Sequence, residues 1–83
     1  MNQTDANANA SEHQKLIDHI KTEMGEGGPR VINETESEIT FRTLAHKERS
    51  IKLLSDRVDY EPTDTEHKTV DGWDYVDVTF EPA

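Results

Sequence analysis

Glu34, Glu36 and Glu38 occupy every second position of INETESEITF, Ile32 to Phe41, and no basic residue follows until Arg42. In an extended segment successive side chains alternate faces, so the three carboxylates would point the same way, roughly 6.6 Å from one to the next. Like charges in a row weaken a strand. Such a row is therefore either a solvated edge that resists aggregation or a surface meant to meet something cationic. Its spacing is on the order of that between phosphates along a nucleic-acid strand.

Other residues capable of chemistry are less well placed. His13 and His19 are six apart, which on a helix separates them by about 120°, so they read as ordinary surface histidines and not as a metal pair. GEGG, Gly25 to Gly28, follows a helical pattern where a phosphate cradle would lie between a strand and a helix, which makes it a helix stop. Asp71, Asp74 and Asp77 lack the spacing of a calcium loop. No serine, histidine and acid arrangement stands at a recognisable spacing, so the expectation is a non-enzyme with neither cofactor nor metal. The sequons at Asn2 and Asn33 bear on a secreted protein, and MNQTDANANASEH has neither the basic start nor the apolar centre of a secretory signal.

Charge narrows the partners. Eighteen Asp and Glu against nine Lys and Arg give −9, which disfavours direct binding of nucleic acid through its phosphates. Three readings of that charge remain: solubility of a small domain, a halophilic surface, and an acidic face for a basic partner such as a nucleic-acid-binding protein. With 83 residues, no cysteine and no long apolar run, the expectation is one small domain at 11–83, held by packing, with no membrane span and a cytoplasmic setting. Oligomeric state is left open.

Residues 1–10 alternate Asn with Ala and read as a disordered leader. SEHQ then fits a capping box, with Ser11 at the N-cap and Gln14 three residues on, and Leu16, Ile17, Ile20 and Met24 follow at helical spacing over 12–24. Val31 and Ile32 open one extended stretch, and Ile39, Phe41 and Thr43 line a face of the next. HKERSIKLLSDR fits either a short helix or a strand; alternation of Ile51 and Leu53 with Ser50 and Lys52, and the lack of a cap, favour a strand over 50–55 with AHKE as its turn. Val58 and Tyr60 continue extended to Glu61, and Pro62 with TDTE marks a loop. In HKTVDGWDYVDVTFEP, Asp71-Gly72 signals a hairpin, with Val76, Val78 and Phe80 on one face and Trp73 and Tyr75 on the other. The expected fold is α+β: one N-terminal helix packed on an antiparallel sheet of four or five strands. Its expected core is Leu16, Ile20, Ile39, Phe41, Ile51, Leu53, Val76, Val78 and Phe80.

The helix, PRVINETESEITFRT and SIKLLSDRVDYEP together resemble the phage uracil-DNA glycosylase inhibitor family, acidic DNA mimics of about this length. The resemblance implies an inhibitor that occupies the DNA-binding groove of a basic protein, uracil-DNA glycosylase being the target. It assigns Val31, Ile32, Asn33 and Glu34 to an edge strand entering that groove. It also assigns Ile51, Leu53 and Leu54 to an apolar pocket for the enzyme's DNA-probing loop. The family's second helix, between its edge strand and the next, has no room in Glu34 to Glu38, so Glu36 and Glu38 would have to supply its charges. The alternative is a small non-catalytic structural or assembly module that binds a protein partner through an exposed strand.

Overall fold

The computed structural model describes residues 13–25 and 27–83; the expected leader and the cap at Ser11 lie outside them. Helix α1 is Gln14–Met24, strands β1 and β2 are Arg30–Glu34 and Ile39–Leu44, and a 3-10 turn at Ala45–Lys47 leads into helix α2, Glu48–Asp56. Strands β3, Tyr60–Val70, and β4, Trp73–Pro82, complete an antiparallel sheet in the order β1-β2-β4-β3. The architecture is the expected α+β sheet under an N-terminal helix, with a second short helix added. Among the described residues no helix is long and apolar enough to cross a membrane.

Pairing register explains the layers. Ile39 faces Phe80, Phe41 faces Val78 and Thr43 faces Val76, and partners across an antiparallel pair project to the same side. All six are buried beneath Leu16 and Ile20 of α1, Ile51 of α2 and Tyr60 at the start of β3. Phe41 and Phe80 meet edge to face at 6.1 Å. The hairpin turns at Asp71-Gly72 as expected, both residues lying at positive φ, 53° and 81°, the paired left-handed geometry that matches strand twist.

Three expectations are corrected. Residues 50–55 are helical: Ile51, Leu54 and Ser55 are buried at helical spacing, and the 57% exposed Leu53 points away from the core. The Glu48 carboxylate starts this helix and accepts from Lys52 Nζ at 2.6 Å one turn on, a pair oriented favourably with the helix dipole. The loop expected at Pro62 is strand, because a bulge between Pro62 and Asp64 on an edge strand accommodates a residue with no N–H to offer. Finally, His13 is no surface histidine. It is fully buried, and His19 is half-buried.

Candidate functional site

The carboxylate row of Glu34, Glu36 and Glu38 does not form. Glu34 ends β1, Glu36 lies in the connection and Glu38 immediately precedes β2, so the alternation of a strand is broken by a turn. Within that turn the Thr35 N–H donates to Glu38 O at 2.8 Å, and the Glu38 N–H donates to Thr35 Oγ1 at 3.1 Å. Threonine bonding of this kind competes with the sheet ladder, which is why the segment reverses there.

A different row exists on β3. Glu61, Asp64 and Glu66 pair with Glu81, Thr79 and Asp77 of β4, residues on the sheet face turned away from the helices. The bulge makes this possible, since one extra residue converts a spacing of three between 61 and 64 into a shared face. Two carboxylates, Glu61 and Glu81, stand directly opposite each other. Farther along, charge alternates: Arg42 donates to Asp77 from Nε at 2.8 Å and from a terminal nitrogen at 3.0 Å, and Lys68 approaches Glu66 and Asp77 at 3.6 and 3.7 Å. The Arg42 hydrogen bonds hold the Asp77 carboxyl below the usual aspartate range.

Strand β1 forms the opposite edge. Each of its five residues is exposed, including Val31 and Ile32, and Ile32 sits in a bulge without a partner in β2. Val31, Ile32, Asn33 and Glu34 are thus together on an accessible edge. Ile51 and Leu54 are not with them, because both are core residues, and Leu53 stands on the outer side of α2. The apolar pocket implied by the resemblance therefore lacks two of its three residues. Helix α2 also lies between β2 and β3, whereas the family's second helix lies between its edge strand and the next.

The turn that ends β1 is tied to the core by His13, a contact that sequence patterning gave no means of finding because its partners are distant in the chain. His13 Nε2 lies 2.6 Å from Thr35 O and Nδ1 lies 2.7 Å from the Tyr60 hydroxyl. A carbonyl only accepts, so in the neutral ring Nε2 carries the proton and donates, and Nδ1 accepts from the Tyr60 O–H. One imidazole thereby joins the start of α1, the end of β1 and the start of β3.

Among the described residues no three His, Cys, Asp or Glu side chains converge as a metal site. Comparison of the chain with protein-family models, curated proteins and solved structures finds no match.

Proposed function

We propose that the protein is a non-catalytic binding module, working in the cytoplasm, that presents the β1 edge to an extended segment of a protein partner. The observation that carries this reading is the exposure of Val31 and Ile32 on a strand whose outer side has no neighbour in the sheet among the described residues. An unpaired edge offers main-chain donors and acceptors for strand addition, and apolar side chains beside it add burial. The short, bulged β1 suits controlled pairing better than the long β3, whose outer edge carries Pro62 and alternating charge.

A second reading is favoured by the β3 row. Glu61, Asp64, Glu66 and Glu81 form an acidic surface for the groove of a basic DNA-binding protein, uracil-DNA glycosylase being the target the resemblance suggests. Salt separates the two. Strand addition should persist as salt rises from about 0.05 to 0.5 M, whereas charge mimicry should weaken steeply.

The test is capture from bacterial lysate at both salt levels with wild type, Ile32→Pro, and a triple Glu61→Gln, Asp64→Gln, Glu66→Gln variant. Proline is tolerated in a bulge on an edge strand, while its ring and missing N–H disturb strand pairing along that edge. A salt-resistant partner lost on Ile32→Pro supports edge pairing. A salt-labile partner lost on the triple change, together with inhibition of uracil excision, supports mimicry. A bound partner indifferent to both sets of changes overturns both readings.

A further inference from the structure

Where β1 begins, β2 ends and the β3–β4 hairpin turns, the structure holds a cleft of about 530 Å³. Its charge is the reverse of the molecule's. Among the described residues three Lys and Arg line it, Arg30, Arg42 and Lys47, against one acidic residue, Asp71. Arg42 is engaged by Asp77, but Arg30 and Lys47 make no ion pair among the described residues. The remaining walls include the apolar side chains of Met24, Leu44 and Val70 and the ring of Tyr75, with the Gly27-Gly28-Pro29 backbone along one side. That backbone approaches closely. A Cβ on Gly28 would stand 2.9 Å from the Met24 carbonyl oxygen, so the wall keeps its shape only with glycine there.

We propose that this cleft binds a small organic oxyanion, a phosphate or carboxylate carried on a planar apolar body. The volume lies within the range of small-molecule sites, and the combination of apolar walls with a few convergent polar groups is what such sites share. Arg30 and Lys47 would take the oxyanion, Arg30 by a planar two-pronged contact and Lys47 as a point charge. Tyr75 and the aliphatic residues would take the ring. The net charge of −9 repels anions at long range, but over a Debye length of about 8 Å at physiological salt the nearest cations decide the local potential. The cleft adjoins the β1 edge at Arg30 but is lined by none of Val31, Ile32, Asn33 or Glu34 and by none of Glu61, Asp64 or Glu66.

The experiment is amide NMR titration of the full chain with adenosine 5′-monophosphate and, separately, with indole-3-acetate. Saturable shifts confined to the neighbourhood of Gly28, Arg30, Leu44, Lys47, Val70 and Asp71 are expected for at least one of them. Combined Arg30→Gln and Lys47→Gln should weaken binding at least about tenfold, while Lys15→Gln with Lys21→Gln on α1 should leave it unchanged. Preserved spectral dispersion establishes that the variants fold. Gly28→Ala should shift the free spectrum at the same wall and weaken binding in parallel. A response to the nucleotide alone identifies a phosphate site, and a response to the indole acid alone a carboxylate site. No saturable shift from either up to about 5 mM, or equal binding by the Arg30, Lys47 variant, overturns the proposal.

Discussion

Replacing His13 should loosen the fold at three places at once. His13→Ala removes two hydrogen bonds, each contributing about 1 kcal/mol net, and empties a fully buried ring position, for which about 1–3 kcal/mol more is expected. The sum, about 3–5 kcal/mol, is a large share of the ~4–12 kcal/mol available to a domain of this length. Tyr60→Phe removes only the hydroxyl and should cost about 1–2 kcal/mol. Because Nδ1 accepts from that hydroxyl, Tyr60→Phe in the His13→Ala background should cost about 1 kcal/mol less than in wild type. Urea unfolding followed by far-ultraviolet circular dichroism is the suitable assay, since Trp73 is 61% exposed and its fluorescence would report weakly on folding. Hydrogen exchange adds a local readout: without the bond to Thr35 O, the Thr35 and Glu38 amides should exchange faster than those at the middle of β4. Additivity of the two substitutions within about 0.3 kcal/mol would falsify the coupling between His13 Nδ1 and the Tyr60 hydroxyl and leave the bond to Thr35 O and packing as the contributions of His13.

Phe41→Ala should destabilise by about 3–5 kcal/mol and Val78→Ala by about 2–3, read by the same urea titration, because the two face each other in the core. Gly72→Ala should cost about 1–2 kcal/mol through its φ of 81°, with the loss visible as a lower urea midpoint at constant slope. For Asp77, the folded-state pKa is depressed, chiefly by the Arg42 hydrogen bond, so its stabilisation is present above the unfolded value near 3.8 and is lost as pH falls through the lower folded value. Asp77→Asn should therefore flatten the acid limb of stability against pH below about 4 while lowering stability at neutral pH. An unaltered acid limb would mean that Arg42 does not favour the charged form.

What the sequence made legible follows from how local each signal is. The hairpin at Asp71-Gly72 and the alternation from Trp73 to Phe80 were readable, because turn chemistry and period-two burial lie within a few residues of one another. Eight of the nine expected core residues are buried, and the exception, Leu53, follows from the strand assignment of 50–55. A helical stripe was also present there, since Ile51, Leu54, Ser55 and Val58 stand at intervals of three, one and three. Serine concealed it: Ser55 is fully buried while its hydroxyl donates to Lys52 O at 2.8 Å, so a polar residue fills an apolar position. The candidate site was less legible. Val31 to Glu34 do form an exposed edge, but whether a glutamate lies on a strand face depends on the turn at Thr35 to Glu38, and the β3 acidic face depends on a bulge that no period reveals.

These misreadings share a physical cause with the surface they hid. A bulge or a turn changes which face a side chain takes without changing its spacing in the chain, so acidic residues spread through the sequence gather on β3 while those that alternate perfectly disperse. The result is a sheet face with a purely acidic end, Glu61, Glu81 and Asp64, beyond which Arg30, Arg42 and Lys68 alternate with Asp77 and Glu66. A uniformly acidic surface would serve solubility equally well. Segregation of charge on a face that no helix covers among the described residues would do more under the proposed binding role, because it would fix the direction in which a charged partner lies across the strands. Any segment paired along β1 would meet a gradient along the strand itself, with Arg30 at one end on the face of Arg42 and Glu34 at the other on the face of Ile39. Reversing those two charges, Arg30→Glu with Glu34→Arg, preserves net charge and edge exposure, so a partner held by strand pairing alone should bind as before, whereas one aligned by the gradient should be lost at low salt.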